Sequence, residues 1–101
     1  MQILPEFIEF IWDKSNKEKN RKSHKVEWWE CEELFFNFPL YMSPDVKHSK
    51  YEERFFAFGH SNSNQLLTIV FAIRQEKIRV ISARDMNKRE RHMYNEKDPQ
   101  V

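Results

Sequence analysis

The stretch Leu66-Leu67-Thr68-Ile69-Val70-Phe71-Ala72-Ile73 constrains this chain more than any other. It is nearly unbroken in apolar and β-branched side chains. A run this short and this apolar reads as a central strand buried on both faces. Such a strand needs paired neighbours, and the flanking sequence supplies them. Glu53 to Phe58 is an aromatic, β-prone run, and Ile78 to Ala83 alternates as a third strand. Gly59-His60-Ser61-Asn62-Ser63-Asn64 is the strongest turn signal in the chain, and Gln75-Glu76-Lys77 is a short reversal. Two hairpins in succession make an antiparallel meander.

The N-terminal half is less regular. Phe7 to Trp12 reads as a first strand, with Ile8, Phe10 and Trp12 on one side. Asp13 offers a helix N-cap, but Lys14 to Ser23 has no apolar stripe and reads as loop or a fully polar helix. Glu27 to Phe38 carries Trp28, Cys31, Leu34, Phe35 and Phe38 at helical spacing, with its acids towards the N-terminal half. Pro39 ends that pattern. Leu40 to Met42 suggests a short strand, and Ser43 to Lys50 a loop. Near the C-terminus, Asn87 and Glu90 fit a capping box for a helix running to about Glu96. The tail, about residues 97–101, should fray. The expected architecture is a single α+β domain over residues 1–101.

Composition narrows the function classes. One cysteine, Cys31, excludes an internal disulfide, and a thiolate zinc site is equally out of reach. His48, His60 and His92 lack a thiolate neighbour, so no metal or other cofactor is expected. A single glycine, Gly59, excludes a P-loop or a dinucleotide-binding loop. No apolar run approaches the roughly 18 residues of a membrane span. Met1-Gln2-Ile3-Leu4-Pro5-Glu6 lacks the features of a signal peptide, so the cytoplasm is the expected compartment.

The net charge of +1 is a cancellation. Lys14 to Lys25 holds six basic residues and one acid, and Arg74 to Arg91 holds seven basic residues and three acids. Between them lie Glu27, Glu30, Glu32 and Glu33. Two basic segments on a neutral chain describe either solvated helix surface or an anion-binding face, if the fold joins them.

At this point a set of ordered segments resembles the BrnT-type toxins of bacterial type II toxin–antitoxin pairs. The segments are Trp12-Asp13 with Lys19-Asn20-Arg21-Lys22-Ser23-His24-Lys25-Val26, then Glu52-Glu53-Arg54-Phe55. Gly59 with Gln65-Leu66-Leu67-Thr68-Ile69-Val70-Phe71 follows, then Ile78-Arg79-Val80-Ile81-Ser82-Ala83-Arg84, and last Glu90-Arg91 with Tyr94. Two departures stand out: Lys25 where the family has Gly after the His, and Asn64-Gln65 where it has Gly-Arg.

The resemblance implies a RelE-like fold. In it, an antiparallel meander of three to four strands and an N-terminal strand are joined by N-terminal helices and a C-terminal helix. It implies an endoribonuclease that blocks translation without a metal. It also implies a BrnA-type ribbon-helix-helix antitoxin as partner, with operator DNA reached only through that antitoxin.

RNA cleavage through the 2′-hydroxyl needs a base, an acid and cations for the developing phosphorane charge. Arg54, Arg79, Arg84 and Arg91 are available as phosphate partners. His24, Glu90 and Tyr94 are the acid–base candidates. Lys19, Arg21, Lys22, Lys88 and Arg91 are candidate RNA contacts. Each has a plainer alternative. Glu90 serves the capping box equally well, Tyr94 suits packing on a sheet, and His24 stands in a solvated basic run. Arg79 and Arg84 have opposite parity, so an unbroken strand would aim them at opposite faces. Trp28 and Cys31 fit the core. The competing functions are a non-catalytic nucleic-acid-binding module and a domain that binds only an antitoxin.

Overall fold

The computed structural model describes residues 8–97. The strand start at Phe7 and the fraying tail beyond Lys97 lie outside the described residues. Strands β1 (Phe10–Ile11), β2 (Tyr41–Pro44), β3 (Arg54–His60), β4 (Leu66–Arg74) and β5 (Lys77–Asp85) form one sheet in the order β1-β5-β4-β3-β2. β2 to β5 are an antiparallel meander, and β1 pairs in parallel with the outer edge of β5. Helices α1 (Lys14–His24) and α2 (Trp28–Leu34) precede the meander, and α3 (Lys88–Lys97) follows it. The α+β class and the four-stranded meander plus an N-terminal strand agree with the sequence reading.

β4 is central, as its composition demands. Leu67, Ile69 and Phe71 are fully buried on one face, with Ala57, Ile78, Val80 and Ala83 from the neighbouring strands. Val26, Cys31, Leu34 and Phe35 close that face. Phe35 meets Phe71 edge-on at 5.2 Å, a favoured aromatic geometry. Gly59 lies inside β3, not in the expected turn. Its missing Cβ makes room for Leu34, whose Cγ would stand 2.9 Å from one. The turn proper starts at Ser61 and closes through the Ser61 N–H to the Gln65 carbonyl.

α1 is a helix despite its lack of an apolar stripe. Asp13 caps it by accepting the Asn16 N–H at 2.7 Å. The helix then docks on the edge of β5 through polar groups. Asn16 Nδ2 donates to the Val80 carbonyl at 2.8 Å, and Asn20 Oδ1 accepts the Ala83 N–H at 3.1 Å. β1 pairs with β5 only at Ile78 and Arg79, so these asparagines cover an edge that would otherwise recruit another strand. Lys25 ends the helix in the left-handed region at φ 58°, where glycine is favoured.

α2 is shorter than expected. It stops at Leu34 because Phe35 and Phe36 bond three residues back, to Glu32 and Glu33, tightening the last turn. Asn37 then ties the chain to the His60 carbonyl. Phe35 still reaches the core, but Phe36 and Phe38 are exposed, so the apolar stripe does not run on to Phe38. The expected loop from Ser43 instead begins as the end of β2 and contains a 3₁₀ turn at Val46–His48. No helix among the described residues is long and apolar enough to cross a membrane.

Candidate active site

The face of the sheet turned away from α2 carries the arginines. β5 contains one extra residue, Ile81: Val70 pairs with Ser82, but Phe71 pairs with Val80. This bulge restores parity, so Arg79 and Arg84, opposite Ala72 and Thr68, share a face. Arg54 is the other partner of Ala72. Arg54, Ala72 and Arg79 therefore stand in one row across β3, β4 and β5, with the small Ala72 fully buried between two guanidinium stems.

The two arginines are differently held. Arg79 makes one ion pair, to Asp13 at 3.0 Å. That contact and the capping N–H of Asn16, the larger influence, hold the Asp13 carboxyl below its usual range. Arg54 lies 4.0 Å from Glu52. Glu52 is already committed to Arg74 through bonds of 2.9 and 2.7 Å, which lower its pKa. Arg54 Nε is buried and has no hydrogen-bond partner. Such a group is costly unless something fills its place.

The loop after β2 positions Arg54. The Asp45 N–H donates to the Arg54 carbonyl at 2.8 Å, and the Arg54 N–H donates to Ser49 Oγ at 3.0 Å. Asp45 is buried, and its two carboxylate oxygens lie 3.1 and 3.0 Å from His48 Nδ1. That leaves Nε2 as the outward ring nitrogen. His48, Tyr51, Glu52, Arg54 and Arg74 line one cavity of about 340 Å³. A carboxylate-oriented imidazole beside a guanidinium has the chemistry to move a proton next to a cation. The sequence reading weighed His48 only as a metal ligand and dropped it for want of an i, i+4 partner and a thiolate; the Asp45–His48 spacing of three residues was the available signal.

The other expected residues lie elsewhere. Glu90 takes two bonds from Arg84, at 2.7 and 3.0 Å, and one from Thr68 Oγ1 at 2.9 Å. It also completes the capping box with Asn87 in both directions. Burial alone would raise its pKa, but the Arg84, Asn87 and Thr68 bonds outweigh burial and lower it. Tyr94 is buried against Tyr41, donates its hydroxyl to the Pro39 carbonyl and lies 3.2 Å from His60 Nδ1.

His24 is exposed at the far end of α1. Eleven helical residues put it about 16 Å along the axis from the Asp13–Arg79 contact. It does not join Arg54 and Arg79. Lys19 donates to the Ile81 carbonyl, Lys22 pairs with Glu18, and Arg21 lines a cavity with Trp28. Arg91 donates to the Met86 carbonyl, and Lys88 opens α3. Burial, then Glu30 and Glu32, push the Cys31 thiol up to about 12, so it is inert. Among the described residues no three His, Cys, Asp or Glu side chains converge as a metal site.

Three comparisons bear on this geometry. No curated protein matches the chain. The crystal structure of the Brucella abortus ribonuclease toxin BrnT is similar, with a TM-score of 0.61 at 21% identity. The match covers 81% of this chain and all of that one, and it establishes likeness of fold. The family model described as ribonuclease toxin, BrnT, of type II toxin-antitoxin system matches residues 12–90. That span takes in α1, the arginine row, His48 and the capping box of α3, and the chain belongs to the BrnT family of ribonuclease toxins.

Proposed function

We propose that this chain is a metal-independent endoribonuclease whose reaction centre is the Arg54–Ala72–Arg79 row with His48 beside it. The observation that carries the reading is the part-exposed Arg54 guanidinium, no closer than 4.0 Å to Glu52, in a cavity shared with the Asp45-oriented His48. An RNA phosphate on the two guanidiniums would satisfy Arg54 and stabilise negative charge as it develops. His48 Nε2 takes the proton of the ribose 2′-hydroxyl. The 2′-oxygen attacks phosphorus, the bond to the 5′-oxygen breaks, that oxygen takes its proton from a water molecule and leaves as a hydroxyl, and a 2′,3′-cyclic phosphate remains. In this reading Arg84, Glu90 and Tyr94 hold α3 on the sheet, and His24 stands outside the reacting centre.

Cleavage of RNA in the cytoplasm inhibits translation. The antitoxin of the pair is then a BrnA-type ribbon-helix-helix protein, reaching operator DNA on the toxin's behalf. The RelE-like architecture fits a sheet face open to RNA.

The test is cleavage of single-stranded RNA by the antitoxin-free chain in excess EDTA. Products ending in cyclic phosphate are expected. His48→Ala should lower kcat by about 10²- to 10⁴-fold, the range of a general base, while His24→Ala leaves it near wild type. Intact RNA from folded protein refutes the reading.

A further inference from the structure

Beyond the row of arginines the same sheet face turns aromatic. Phe56 and Phe58 follow Arg54 at two-residue steps on β3, so the three side chains share a face. The two rings lie 5.9 Å apart and 21° from parallel. Across the ladder, Ser43 stands opposite Phe56 and Tyr41 opposite Phe58. α3 forms the far wall with Asn87, Glu90 and Met93, and the groove between has a volume of about 420 Å³. Arg89 lines its rim, and the one carboxylate in its lining, Glu90, is neutralised by Arg84.

We propose that this groove holds one unstacked base of a single-stranded RNA whose phosphate lies on Arg54 and Arg79. The proposal rests on the ribonuclease reading of that row. Aromatic faces bind bases of any sequence by stacking, and single-stranded RNA is the form whose bases can be splayed out to reach them. Arg54 precedes Phe56 by two residues on the same face of β3, about 7 Å along the strand. A nucleotide answers both ends at once, its base on the rings and its phosphate on the part-exposed Arg54 guanidinium. A protein segment filling the groove with apolar side chains would offer the Arg54 guanidinium no anion. The neutralised Glu90 removes the one charge in the lining that would repel the strand.

The test uses a single-stranded 2′-O-methyl oligoribonucleotide, which cannot be cleaved, and a duplex of the same sequence. Binding is read by fluorescence anisotropy and folding by the unfolding midpoint. Phe56→Leu should weaken single-strand binding by about fivefold or more, the lower end of base stacking. Phe56→Trp, which keeps a ring, should restore it, and duplex binding should not respond to either. Met93→Trp fills the groove from its exposed wall, so it tests the site without touching the sheet. Folded variants that all bind like wild type overturn the proposal. So do variants that keep the oligonucleotide but lose a purified antitoxin, which would make the groove a protein-docking site. If Phe56 governs binding while the wild type cleaves no RNA, the base site stands and the ribonuclease reading falls.

Discussion

The Arg84 guanidinium grips the Glu90 carboxylate through two bonds, 2.7 and 3.0 Å long, and so clamps the first turn of α3 onto β5. The same carboxylate receives the Asn87 N–H and the Thr68 hydroxyl. Glu90→Ala removes a cap and leaves Thr68 and Arg84 without their acceptor, so it should cost about 2–3 kcal/mol in denaturant unfolding. Because the folded-state pKa is depressed, this stability is present above the ordinary glutamate value of 4.5 and is lost as pH falls through the folded value. Glu90→Gln should therefore be less stable at neutral pH and lose less on acidification. A Glu90 variant as stable as wild type would contradict the clamp.

Lys25 occupies a left-handed position, φ 58°, just past the end of α1. A non-glycine residue there costs about 1 kcal/mol or more. Lys25→Gly should raise the unfolding midpoint by about 4–8 °C per kcal/mol regained, partly offset by the greater entropy of glycine in the unfolded chain. A lowered midpoint would mean that Lys25 makes a compensating contact. Asn64, the other departure from the family pattern, also has positive φ, 65°, which asparagine tolerates better.

What the sequence made legible follows from which forces leave a periodic trace. The apolar run of β4 and the turn residues around it were enough for the meander. The Asn87–Glu90 spacing was enough for the start of α3. α1 left no such trace, because it is held by the Asp13 cap and by Asn16 and Asn20 on the backbone of β5. The site was half legible. Arg54 and Arg79 were identifiable as residue types suited to phosphate. Their shared row follows from the tight turn at Gln75-Glu76, which sets Arg79 opposite Ala72, whereas the place of Arg84 on that face depends on the bulge at Ile81, which alternation counting misses. His48 depends on a side-chain pair inside an irregular loop.

Asp13 has two jobs that one substitution can separate. Its Oδ1 caps α1, and its Oδ2 holds Arg79 at 3.0 Å. Asparagine caps helices about as well as aspartate. Asp13→Asn should therefore leave the unfolding midpoint close to wild type while releasing Arg79. RNA affinity at low salt should rise about two- to fivefold, the worth of an exposed ion pair. Its salt dependence should steepen with the added positive charge. Titrating a non-cleavable oligoribonucleotide at several salt concentrations checks both. Unchanged or weaker affinity in a folded variant would remove Arg79 from the phosphate site.

Gly59 tests how tightly α2 is seated on the sheet. The glycine sits in β3 opposite Leu67, and a Cβ there would meet Leu34 Cγ at 2.9 Å. Leu34 is fully buried and Cγ is not a free end, so the clash must be relieved by moving the side chain or the helix. Overpacking of this kind costs about 1–3 kcal/mol. Gly59→Ala should lose that much in denaturant unfolding. Leu34→Ala alone should lose about 2–5 kcal/mol through its cavity. In the double variant the new methyl enters the space that Leu34 vacates, so the combined loss should fall short of the sum by about 0.5–3 kcal/mol. Strict additivity would show that the two sites do not touch, and that Gly59 is small for some reason other than the approach of α2.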